Sequence, residues 1–155
     1  MNKYAKSVTL LAGSCLLMIS TSCGPSPVKD FTGRELPAVG RETQIIGPQG
    51  WLARDESAFA ELANTGVRVL DLSPAEAQSQ IKSALETNAK RLMQEGKVME
   101  VKRGARVRVL GYYGGTASNI RPMSATDTSA EFVKVEVLDG EAKQRAGFTT
   151  ADAVK

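Results

Sequence analysis

Residues 97–114 read KVMEVKRGARVRVLGYYG. Val107 and Val109 alternate with Arg106 and Arg108, so a strand through them is apolar on one side and solvated on the other. Lys102-Arg103-Gly104 breaks the run ahead of them, giving strand, turn, strand. Before residue 97 apolar residues recur at helical spacing; after it they recur at every second position. That change of period decides the fold class: mostly β with a helical insertion, α+β.

Working outward to the C-terminus, residues 131–138, EFVKVEVL, predict a strand with Val133, Val135 and Val137 on one face. Asp139-Gly140 marks a turn. Residues 144–150, QRAGFTT, predict a further strand, and residues 151–155, ADAVK, a final turn and short strand. Between these and the opening stretch, residues 115–129, GTASNIRPMSATDTS, are polar and without strand alternation, which predicts an exposed, mobile hairpin loop.

Outward to the N-terminus lies the clearest helix, residues 73–96, SPAEAQSQIKSALETNAKRLMQEG. Ser73 is placed as N-cap, Pro74 as first helical residue and Glu76 as the closing member of a capping box. Ala77, Ile81, Ala84, Leu85, Asn88 and Leu92 form one stripe, and Gly96 ends the helix. Lys82–Glu86, Glu86–Lys90 and Arg91–Glu95 are spaced to pair on the wet side. Asp55 caps a shorter helix over ESAFAELANTG, with Ala58, Phe59, Leu62 and Ala63 on one face and Gly66 as its stop. VRVLDL, residues 67–72, reads as a brief extended segment. Gln44-Ile45-Ile46 reads as a short strand, Gly47-Pro48-Gln49-Gly50 as a turn, and Trp51-Leu52 as a return into the core.

Residues 97–155 resemble the bacterial Src-homology-3-like (SH3-like) domains of exported proteins. The resemblance rests on Val101-Lys102-Arg103-Gly104-Ala105-Arg106-Val107, on Val133 to Leu138 running into Asp139-Gly140, and on Gly147-Phe148-Thr149-Thr150, where the family carries Gly-Trp-Val-Pro. Gln144 stands where a second glycine is common in that family. The resemblance implies a small antiparallel barrel, with two helices inserted at 55–95 between its first and second strands. A barrel of some 60 residues buries a marginal core, and helix packing enlarges it.

The N-terminus has a different character. Residues 1–7 carry Lys3, Lys6 and no acid; residues 8–19, VTLLAGSCLLMI, are apolar or small. This run is short for a membrane span, which needs about 20 apolar residues, and fits the core of a secretory signal. Ser20, Thr21 and Ser22 precede Cys23, and this stretch resembles the lipobox of bacterial lipoproteins. The resemblance implies a signal peptide over 1–22, cleavage after Ser22 and acylation of Cys23, which anchors the chain to the lipid bilayer. Gly24, in place of an aspartate, implies an outer-membrane destination facing the periplasm. A soluble exported protein cut at the same place is the alternative. Residues 23–42 hold three of the six prolines and little apolar periodicity, and are expected to form an extended, mobile tether before a domain at 43–155.

Composition narrows the function. The net charge of +3 leaves 18 basic against 17 acidic residues once Lys3 and Lys6 are set aside, which gives no case for nucleic acid. Histidine is absent, and both cysteines, Cys15 and Cys23, lie in the first 23 residues. The folded part therefore lacks the commonest acid/base group and the thiolates of a metal site or disulfide framework. No cofactor or metal is expected. The acid pairs Asp55/Glu56 and Glu131/Glu136 have no partners that suggest catalysis, the serines of PMSATDTS have no activating base, and GYYGG lacks the lysine of a phosphate loop. Trp51, Tyr112, Tyr113 and Phe148 are candidate ligand-binding residues that could line a groove; the alternative is that they pack in the core. Lys97, Lys102, Arg103, Arg106 and Arg108 are a basic cluster diluted by Glu95 and Glu100. The expectation is a non-enzymatic binding module of the cell envelope that contacts a protein or peptidoglycan. The alternative is an accessory lipoprotein that docks into a larger envelope or phage-encoded assembly through its helical face.

Overall fold

The computed structural model describes residues 26–47, 50–66, 73–124 and 126–155. The signal segment 1–22, Cys23, Pro48 and Gln49 of the early turn, and the extended segment 67–72 lie outside the described residues. In chain order the elements are β1 (Glu42–Gln44), β2 (Trp51–Ala53), α1 (Glu56–Ala63), α2 (Pro74–Gln94), β3 (Val98–Glu100), β4 (Arg106–Thr116), β5 (Asn119–Pro122), β6 (Phe132–Val137) and β7 (Ala146–Thr150). A 3₁₀ turn, Ala151–Ala153, follows β7.

The strands form one antiparallel sheet in the order β1-β4-β6-β7-β2-β3, with β5 added to β4, curled into a half-barrel. The curl brings the chain end back to the start: Val154 bridges Ile45, and Gln44 and Lys155 exchange backbone hydrogen bonds. The two helices enter between β2 and β3, the second and third strands and not the first and second as expected, because the chain from 42 to 53 forms two strands.

The caps form as the sequence predicts except at the end of α1, which stops at Ala63 with Asn64 as its cap and its N–H on Ala60 O, short of the expected Gly66. Asp55 accepts from the Ala58 N–H at 2.9 Å. Ser73 and Glu76 close a reciprocal capping box around Pro74. At the far end of α2, Gly96 turns left-handed at φ 69° while its N–H reaches Met93 O and the Lys97 N–H reaches Leu92 O, the double bond of a Schellman stop. Of the pairs expected on the wet side of α2, Arg91–Glu95 forms at 2.6 Å, and among the described residues the other two do not.

The sheet packs a full core on its inner face and a second, partial one on its outer face. Val133, Val135 and Val137 of β6 point into the curl with Val107, Val109, Leu52, Ile45 and Val154. The alternate residues of β6 and β7 point outward, where Phe132 and Phe148 meet Phe59 and Leu62 of α1 and Ala89 and Leu92 of α2. Only the second half of α2 joins this packing; from Pro74 to Ser83 every described residue except Ala77 is exposed. Ala63, expected on the packed face of α1, is exposed as well.

Two stretches depart from expectation. Residues 115–129 are not a patternless loop. β4 runs on to Thr116 and turns through Ala117 and Ser118 into β5, with Thr116 opposite Asn119. Ladder bonds are made by the backbone, so a polar strand can form where one side chain, here Ile120, gives it an apolar foothold. Arg121 grips Asp127 at 2.7 and 2.8 Å and holds the following segment. Residues 28–42 are likewise built onto the sheet and do not form a free tether. The Leu36 N–H donates to Val28 O, Lys29 bridges Glu35, and Asp30 bridges Ala130. Val28 and Leu36 are too far apart in sequence to make a period, but the hairpin between them sets both against the inner core.

Candidate functional site

The outer face starts from the phase of β6. With the valines directed inward, Phe132 and Lys134 face outward, opposite Thr150 and Phe148 of β7. Phe59 of α1 meets Phe132 edge-on, ring centroids 5.1 Å apart at 68°. Tyr113 of β4 meets Phe148 at 5.0 Å and 74°, and the Lys134 ammonium lies 5.2 Å from the Phe148 ring centre. Such edge-to-face pairs fix ring positions beyond what apolar burial alone achieves.

The helices do not cover this face completely. Between α1, the middle of α2 and the strand ends lies an open groove of about 640 Å³, walled by Trp51, Phe59, Leu62, Ile81, Leu85 and Phe132, with Thr149 and Thr150 at one side. Among the described residues no charged side chain lines it. Asn88 anchors its helical wall: its side-chain amide donates to the carbonyls of Glu61, at 2.5 Å, and of Leu62. This ties α2 to the end of α1.

Of the four sequence candidates, Trp51, Tyr113 and Phe148 share the outer cluster and Tyr112 does not. Trp51 is half-buried in the groove wall. Tyr113 is half-buried beside Phe148, which is itself only 3% exposed. Tyr112 lies on the opposite face of the sheet, in the inner core, with its hydroxyl donating to Pro37 O at 2.6 Å. Burial pushes its phenol up to about 12. Adjacent strand residues face opposite sides, so alternation splits the tyrosines, and a bulge decides which one enters the core: Val109 pairs with Val135 but Gly111 with Lys134, leaving Leu110 unpaired. Beyond an extra residue the alternation reverses, so Tyr112 turns inward and Tyr113 outward. Phe59, Leu62, Ile81, Leu85 and Phe132 complete the groove and were not among the sequence candidates. Their signal was the apolar phase of each element: the helix stripes, and the one aromatic out of phase with the β6 valines.

The charged residues serve the scaffold. Arg106 pairs with Glu42 and Asp139, and Arg108 with Glu42 and Glu136. Lys97 lies between Glu61 and Glu95 at 2.8 and 3.1 Å. Three of the five members of the basic cluster are thus neutralised within the chain. The carboxyls of Asp30, Asp55, Glu76, Glu95 and Asp127 are all held below their ordinary values, chiefly by hydrogen bonds from Thr32, Ala58, Ser73, Lys97 and Arg121 respectively. A general acid needs the opposite displacement. A second cleft, about 740 Å³, mixes Arg54, Lys97 and Arg145 with Glu100 and Glu141 around Met93 and Met99.

Comparison with protein-family models, with curated proteins and with solved structures finds no match to this chain. Among the described residues no helix is long and apolar enough to cross a membrane.

Proposed function

We infer that this chain is an exported lipoprotein, anchored to a membrane through acylated Cys23, whose SH3-like domain is a non-enzymatic module that binds a protein segment. The observation that carries the binding part is the uncharged groove between α1, α2 and the outer sheet face. Sugars need polar partners for their hydroxyls, whereas Trp51, Phe59, Leu62, Ile81, Leu85 and Phe132 offer apolar walls to an amphipathic helix or apolar peptide. A protein segment is therefore favoured over peptidoglycan. The SH3-like reading draws support from the β4–β6–β7 ladder, from Gly147 and Phe148 within β7, and from the 3₁₀ turn that returns Val154 to Ile45. The anchor reading draws support from the charged, apolar and small-residue succession that ends at Cys23.

The binding claim is tested by placing a photo-crosslinking residue at position 81 in living cells. One discrete protein adduct is expected, lost on Trp51→Ala and absent when the crosslinker sits at position 102. No adduct, or an adduct only to cell-wall fragments, contradicts it. The projecting, exposed first half of α2 favours a second reading, a permanent subunit of a larger envelope assembly. In that case a stoichiometric partner co-purifies with the chain and Ile81→Asp releases it.

A further inference from the structure

We propose that the hairpin formed by residues 28–36 is a membrane-surface contact that lays the domain against the bilayer carrying the Cys23 lipid. The inference rests on the lipoprotein reading. Because the chain is already tied to the sheet at Val28, the leash from Cys23 is five residues. Fully extended, that is at most about 18 Å, less than the roughly 30 Å breadth of a small domain. Val28 therefore stays within about 18 Å of the anchored sulfur, and the hairpin that begins there is the described segment nearest the anchor in sequence.

The hairpin and the turn that follows it carry suitable chemistry. Phe31, at the hairpin tip, is 62% exposed, and Val39, in the next turn, is 60% exposed. They are two of the four exposed large apolar side chains among the described residues. A third, Leu110, follows the residue whose backbone bonds the Val39 turn: Val109 O accepts from Gly40 N–H, and Val109 N–H donates to Arg41 O. Exposed aromatic and aliphatic side chains insert at the headgroup–acyl boundary. Lys29 and Arg41, both exposed, suit lipid phosphates.

The tip is also held rigidly. Asp30, 2% exposed, accepts from the Thr32 N–H and hydroxyl and from the Arg34 N–H and Nε, at 2.6 to 3.0 Å. Arg34 reaches on to Asp152 O at 3.2 Å. Phe31 is thus displayed by a braced turn and not by a loose chain.

The test uses the full lipidated chain in vesicles of phosphatidylethanolamine and phosphatidylglycerol. Cys23 carries lipid on its sulfur and Cys15 leaves with the signal, so a thiol introduced by Phe31→Cys labels alone with an environment-sensitive fluorophore. Ser79→Cys, on the projecting part of α2, is the reference. Quenching by acyl-chain-attached quenchers is expected to be several-fold stronger at position 31 than at position 79. Equal quenching on a lipidated, vesicle-bound chain overturns this inference and leaves the anchor standing. A parent chain whose Cys23 thiol is free to label overturns both.

Discussion

At the scale of single residues, backbone geometry yields the clearest expectations. Gln144 holds a left-handed φ of 67° while its N–H bonds Val137 O, a conformation that costs a side-chain-bearing residue roughly 1–2 kcal/mol. Gln144→Gly is expected to raise stability by about 1 kcal/mol in chemical denaturation; an unchanged midpoint contradicts this. Gly147 is the converse case. A Cβ there would lie 2.8 Å from Leu52 Cβ and from Ala53 O, so Gly147→Ala is expected to cost about 1–3 kcal/mol by overpacking. Neither demand is written in composition or periodicity: the left-handed turn at 144 and the close approach at 147 come from how β6, β7 and β2 meet. Asp30 gives a pH dependence. The Thr32 hydroxyl, assisted by Arg34, holds its carboxyl below the ordinary value of 3.8. A carboxylate depressed in the folded state stabilises fully above its unfolded pKa, and that contribution fades as pH falls through the folded one. Protection of the Arg34 amide, which donates to Asp30, is therefore expected to drop below about pH 3.8 and to be low even at neutral pH in Asp30→Asn. Constant protection through the acid range contradicts the latch.

At the scale of elements, α2 divides into a packed half and a projecting half. Leu92 is fully buried against the outer sheet face, and Leu92→Ala is expected to cost about 2–5 kcal/mol. Ile81 is 38% exposed, and Ile81→Asp is expected to leave stability within about 0.5 kcal/mol while abolishing capture of the partner. Thermal or chemical unfolding of the two variants separates the roles; comparable losses would mean that the groove wall is structural. The limits and caps of α2 were legible because each has a local cause: a capping box, a proline, a terminal glycine; the expected stripe included Leu92 but not Ala89, the other buried residue of the helix. The extent of its burial was not, since periodicity says which face is apolar and not how far the sheet beneath it reaches. β4 shows the same limit. Its alternation is plain from Arg106 to Val109, but one unpaired residue at Leu110 shifts the phase, so that Tyr112 and not Tyr113 turns inward. A bulge leaves no compositional mark, so alternation alone could not say which of the two adjacent tyrosines enters the core. The β4–β5 hairpin and the 28–36 hairpin escaped notice for a related reason. Their bonds are made by the backbone, and their few apolar anchors, Ile120, Val28 and Leu36, are too sparse to form a period.

At the scale of the whole molecule, the sheet packs on both faces: inward around the β6 valines, outward against the helices. The inner core was legible from valine alternation. The outer one was implied by the helix stripes but could not be located, because no local pattern states which strand residues a distant helix will cover. The groove exists where that cover is incomplete. In the proposed reading its uncharged lining takes a protein segment, and the short leash from Cys23 would hold it close to a membrane. The central claim is that the first 22 residues deliver the chain and Cys23 anchors it, and its most direct test is the intact mass of the protein recovered from cell membranes. The mass expected is that of residues 23–155 carrying acyl groups on Cys23, with Cys23→Ala shifting the chain out of the membrane fraction. A chain beginning at Met1, or one beginning at Cys23 with a free thiol in the soluble fraction, would contradict the account.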